Sequence, residues 1–123
     1  VLCNKVESLE HSFMVQNIKL ELIKQGYKPE LNIVQEPDII FKDKTGDKIA
    51  IEVETGKGFD RHKKRIVKKF EDLNENFKGT IIIVLTNSDY KKHYSILFKD
   101  KFTVTTRNEI LGLIQTQNKR KKE

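Results

Sequence analysis

Residues 79–87 read GTIIIVLTN, with five consecutive apolar side chains, Ile81 to Leu85, and no polar alternation. A run of strand length with this pattern is buried on both faces. It therefore belongs inside a sheet that has helices on each side, and 123 residues suit one such domain.

The elements around it follow from local pattern. SLEHSFMVQNIKLELIKQGY is expected to be a helix, with Phe13, Ile18, Leu22 and Ile23 near one face and Leu9 and Met14 close by. Ser8 is its expected cap and Gly26 its stop. KPELNIVQEP is extended, with Leu31, Ile33 and Gln35 on one face. DIIFKD and KIAIEVE are β runs separated by KTGD, a glycine-containing loop of hairpin length, so they pair antiparallel. FDRHKKRIVKKFEDLNENF is an amphipathic helix whose apolar stripe is Phe59, Ile66, Val67, Phe70 and Leu73. SDYKKHYSILF is a short helix with Ser88 as its expected cap, KFTVTT a last strand, and RNEILGLIQTQ a last helix that frays into a basic tail. A hairpin that feeds strand–helix–strand crossovers gives an α/β fold with a mixed central sheet, an antiparallel meander plus parallel strands, and helices on both faces.

The net charge of +6 favours anionic partners, of which nucleic acid is the commonest, although part of the surplus lies in Lys119, Arg120, Lys121 and Lys122. The single cysteine, Cys3, cannot form an internal disulfide or a cysteine-based zinc site, so a reducing, cytoplasmic compartment is expected. No apolar run approaches the roughly 20 residues that span a bilayer, and Lys5, Glu7 and Glu10 do not fit a secretory leader.

The hairpin carries the chemistry. Alternation puts Glu52 and Glu54 on one face of their strand, and folding about KTGD lands Asp38 beside Glu52 or Val53. Converging carboxylates repel and lose hydration, and a divalent cation offsets both costs. Magnesium takes oxygen ligands and is held by one or two carboxylates with waters and substrate phosphate completing its shell. The alternative is a solvated acidic face paired with Lys42, Lys44 and Lys48. The residues alone leave these two readings level.

Pro37 and Asp38, a hairpin loop, and then Glu52, Val53 and Glu54 resemble the signature of the PD-(D/E)xK nuclease superfamily, whose fold is called restriction-endonuclease-like. The order of elements over residues 8–106 is similar to that superfamily's common core. The resemblance implies that Asp38 and Glu52 bind magnesium, with manganese as a substitute, and that Glu10 on the first helix joins them. Glu54 stands where most members have lysine. It either acts as a metal ligand or general base, as in some restriction enzymes, or Lys57 supplies the ammonium from a shifted position. The function implied is a magnesium-dependent DNA endonuclease, a single nuclease-like domain over residues 1–118 with a basic tail at 119–123. It would stand alone or as a module of a larger DNA-processing protein, and it would pair as a homodimer to cut both strands. The alternative is a relative that kept the fold, lost the reaction and serves in nucleic-acid binding or assembly.

Arg61, Lys64, Arg65 and Lys68 lie three and four apart on the second helix, a spacing that suits contact with a phosphate backbone as well as a plain solvated face. His11, His62 and His93 lack the spacing of a helical zinc site, although His11 adjoins Glu10 and could face the same cleft. ETGKGF is too short for a phosphate-cradling glycine loop.

Overall fold

The hairpin forms as its sequence dictates. β2 (Ile39–Lys42) and β3 (Lys48–Glu54) pair antiparallel, with Ile39 opposite Ile51 and Lys42 opposite Lys48. Asp43 closes the loop between them, since its carboxylate accepts from the N–H groups of Thr45 and Asp47. The Thr45 hydroxyl also donates to it and holds the Asp43 carboxyl below its usual range. This computed structural model describes residues 8–32, 37–99 and 101–122, with the side chains of 115–122 left aside.

Before the hairpin come α1 (Leu9–Lys24) and the two-residue strand β1 (Glu30–Leu31). After it come α2 (Lys63–Asn76), β4 (Thr80–Leu85), a 3-10 turn (Ser88–Tyr90), α3 (Lys91–Phe98), β5 (Thr103–Thr106) and α4 (Arg107–Lys122). The five strands lie in chain order, β1-β2-β3-β4-β5. The first pairings are antiparallel, while β3 with β4 and β4 with β5 are parallel. Each parallel pair requires a crossover, which α2 and α3 provide. The expected α/β class and mixed sheet are therefore present.

Strand alternation divides the core in two. Ile39, Phe41, Ile49, Ile51 and Val53 face α1 and α4, where Ile18, Leu22, Ile110 and Ile114 meet them. Ala50, Ile81, Ile83 and Leu85 face α2 and α3, which contribute Phe70, Leu73, Tyr94 and Phe98. Burying a side chain such as Phe70 or Ile83 is worth about 1.5–3 kcal/mol, and both are fully buried.

Three local expectations change. On α1 the buried stripe is His11, Met14, Val15, Ile18 and Leu22, whereas Phe13 is 65% and Ile23 50% exposed. The helix is rotated so that positions 14, 18 and 22 meet the sheet, which turns Leu9, Phe13, Leu20 and Ile23 outward. Phe59 precedes α2 rather than belonging to it, yet its ring packs 5.0 Å from Tyr94 in the same core. The cap at the 3-10 turn is Asn87, whose side chain accepts from the Asp89 N–H, and not Ser88. Ser8 does cap α1 by accepting from the His11 N–H. The expected positions of Ile33 and Gln35 lie outside the described residues, and the α4 backbone stays helical through the basic tail.

Candidate active site

Asp38 sits at the bend that opens β2, directly after Pro37. Asn32, just past β1, fixes this bend: its backbone N–H donates to the Asp38 carbonyl and its side-chain amide donates to the Pro37 carbonyl. Continuing the ladder one step from the Ile39–Ile51 pair brings Asp38 to Glu52. The Asp38 N–H donates to Glu52 Oε1 at 3.1 Å, and the Val53 N–H donates to Asp38 Oδ2 at 2.8 Å. Both carboxylates are almost fully buried, Asp38 at 1% and Glu52 at 0% exposure.

Two further layers converge on this pair. From α1, His11 Nε2 lies 3.1 Å from Asp38 Oδ2. From α2, the Lys69 ammonium lies 3.0 Å from Glu52 Oε2 and 2.6 Å from Glu54 Oε2. The other oxygen of Glu54 accepts from the Tyr94 hydroxyl of α3 at 3.0 Å. Burial, reinforced by the charge of Glu54, pushes the Tyr94 phenol well above its ordinary range, so it remains a hydrogen-bond donor. The site thus joins Asp38, Glu52 and Glu54 to one imidazole, one ammonium and one phenol.

The lysines of the hairpin do not neutralise these carboxylates. Lys42 stands opposite Lys48, at the loop end of the ladder. Glu52 lies four positions along the strand from Lys48, about 13 Å at the usual strand rise. Lys57 is exposed and its ammonium makes no ion pair among the described residues. Lys69 is therefore the ammonium at the site, a residue that sequence reading passed over. Its signal lies in helical spacing: it falls three residues after Ile66 and four before Leu73, at the edge of the buried stripe, while its neighbour Lys68 turns out to pair with Asp72 at 3.6 Å. Tyr94 carried no such signal.

Glu10 is exposed and lines a cavity of about 330 Å³ between α1, the ends of β4 and β5, and the start of α4. The α1 residue that reaches Asp38 is its neighbour His11. Arg61, Lys64, Arg65 and Lys68 are all exposed, with Arg61 in the turn before α2 and the other three on the helix. Among the described residues, no three His, Cys, Asp or Glu side chains are arranged as a ready set of metal ligands. No helix among them is long and apolar enough to cross a membrane. No protein-family model, curated protein or solved structure matches the chain significantly.

Proposed function

We propose that this chain is a divalent-metal-dependent nuclease domain acting on DNA, with the restriction-endonuclease-like version of its α/β fold. The observation that carries the reading is the pair of buried acids, Asp38 and Glu52, at opposed positions of neighbouring segments, Glu52 accepting from the Asp38 N–H and Asp38 from the Val53 N–H, with an ammonium 3.0 Å from Glu52. Burying two acids in one core is costly, and a hydrophobic pair would serve the core better. Retaining them fits a site that takes a cation and a phosphate.

The donor set suits magnesium, or manganese in its place. It offers two hard carboxylates and leaves the other positions to water and substrate. Asp38 and Glu52 would hold the ion, which supplies polarisation of the phosphodiester and acidification of water when bound. The remaining roles belong to side chains in place. Glu54, oriented by Tyr94 and Lys69, is the acceptor for a proton from the attacking water. The Lys69 ammonium meets the negative charge that builds on the phosphate oxygens. His11 fixes the orientation of Asp38. Arg61, Lys64, Arg65 and Lys68 track the DNA backbone and add affinity without sequence preference.

A second reading, a nuclease-fold domain that binds nucleic acid without cutting it, draws on one observation. Lys69 already compensates both Glu52 and Glu54 with no dication required. The two readings separate in one experiment. Labelled duplex, single strand, flap and four-way junction are incubated with magnesium, manganese or chelator, with Asp38→Ala and Glu52→Ala alongside. Metal-dependent cutting that both variants lose is the expected result. Salt-sensitive binding with no cutting by wild type would establish the binding module, and neither activity would remove both.

A further inference from the structure

α1 packs on the sheet through Met14, Val15, Ile18 and Leu22, yet its opposite side is apolar as well. Leu9 is 90% and Leu20 61% exposed, and both share that side with Phe13 and Ile23. At about 100° per residue, these four positions form one stripe, turned roughly half a revolution from the buried one. With the exposed Gln16 they make the series 9, 13, 16, 20, 23. Steps of four and three alternate along it, the spacing by which two helices pack along a shared seam. A surface helix needs one apolar face to hold it on its domain. A second apolar face on the far side calls for a second partner.

Three properties of the stripe point to another copy of the same chain. The first is self-complementary spacing. If two α1 helices lie antiparallel about a two-fold axis at Gln16, Leu9 comes level with Ile23 of the partner subunit, and Phe13 with Leu20 of the partner subunit. The two Gln16 amides then meet at the axis, where each can donate and accept. A polar residue inside such a seam fixes its register at some cost in stability. The second property is charge. Glu10, in the first turn of α1, and Lys24, in its last, border the stripe along one edge. Neither has an ion-pair partner among the described residues. Antiparallel pairing brings Glu10 to Lys24 of the partner subunit twice over, whereas parallel pairing sets like charge against like. The third is area. At about 200 Å² for a fully exposed residue, the four apolar side chains offer roughly 500 Å². The exposed Glu10, Gln16 and Lys24 beside them extend the patch toward the about 800 Å² per partner of a stable interface.

We propose that the outer face of α1 is the interface of a homodimer, in which two copies pair antiparallel through Leu9, Phe13, Gln16, Leu20 and Ile23. The inner face of α1 stays on the sheet and keeps His11 3.1 Å from Asp38. The two carboxylate sites therefore flank a single helix pair. The pairing stands on its own residues and does not depend on cleavage at Asp38 and Glu52.

The test is sedimentation equilibrium of the full chain over about 1–200 μM, in chelator and without nucleic acid. Wild type is expected to pass from monomer to dimer within that range. Leu20→Glu puts a charge into the seam on both sides of the axis, so it is expected to weaken pairing about a hundred-fold or more. Leu20 is exposed, so the variant should keep the far-ultraviolet circular dichroism of wild type. The orientation is tested by charge reversal. Glu10→Lys and Lys24→Glu each set like charges together twice and should weaken the dimer about ten-fold, and the double variant should recover wild-type pairing. A wild type that is monomeric throughout overturns the proposal, and so does a dimer that Leu20→Glu leaves intact. A double variant that pairs no better than the single ones overturns the antiparallel arrangement.

Discussion

Removing the Lys69 charge while keeping most of its aliphatic length, Lys69→Met, is expected to cost about 3 kcal/mol of folding stability. The magnitude follows from what the substitution leaves behind. Glu52 is fully buried and loses an ammonium at 3.0 Å, and Glu54, with its side chain 12% exposed, loses one at 2.6 Å. Breaking a buried pair by deleting one partner costs about 3–5 kcal/mol. The lower end applies because the Lys69 side chain is 29% exposed, so water reaches the site, and because Tyr94 still donates to Glu54. With a urea slope of about 2 kcal/mol per molar, the unfolding midpoint falls by about 1.5 M. The measurement is made in chelator. Combining Lys69→Met with Glu52→Gln should cost less than the two changes summed, because the second removes the charge that the first exposes. Magnesium should then restore part of the loss in Lys69→Met, since a dication can take over the compensation. A stability within about 0.5 kcal/mol of wild type in chelator would refute the argument, because it would mean that Glu52 does not rely on the ammonium.

Tyr94→Phe removes a donor to Glu54 while Lys69 remains, so a loss of about 1 kcal/mol is expected in the same urea assay. The pH dependence has a definite sign. Burial raises the folded-state pKa of Tyr94, with Glu54 adding to the shift. Its contribution is thus intact below the ordinary tyrosine value of about 10 and is lost as pH rises further. Ultraviolet absorbance should show the Tyr94 phenolate appearing together with unfolding, and ionisation near pH 10 in folded protein would count against this. Gly56 has φ +85°, and a Cβ there would overlap the Tyr90 ring. Gly56→Ala is therefore expected to cost about 2 kcal/mol or more, read as a lowered melting temperature. An unchanged melting temperature would show that the loop after β3 has room to move.

What the sequence made legible and what it hid divide along a physical line. Asp38 and Glu52 could be brought together on paper because a short glycine loop fixes the hairpin register and alternation fixes the face. The order of elements was equally open to reading, since each has its own period and punctuation. Contacts between layers were not. Whether α1 turns Phe13 or Met14 to the sheet, and whether α2 turns Lys68 or Lys69, depends on how each helix is rotated about its axis. Adjacent residues on a helix differ by about 100°, so a small error in that rotation exchanges a buried group for a solvated one. That is why Lys69 and Tyr94 stayed hidden and His11 could be placed only near the cleft, while the hairpin carboxylates Asp38 and Glu52 were named.

The same ladder explains why the ammonium beside Glu52 comes from a helix. Pairing Lys42 with Lys48 puts the hairpin's own cations at the loop end, about 13 Å along the strand from Glu52. A lysine at position 54 would have shared a strand face with Glu52. This chain has Glu54 there instead, which adds a second negative charge to the α2–α3 face of β3. With the hairpin lysines out of reach and Lys57 exposed, compensation falls to the layer packed on that face. Lys69 meets both carboxylates from that layer, at the edge of the stripe that buries Phe70 and Leu73. The ammonium and the core contacts thus depend on one helix position, so a change that shifts α2 on the sheet should disturb the charge balance at Glu52 and the packing of Phe70 together.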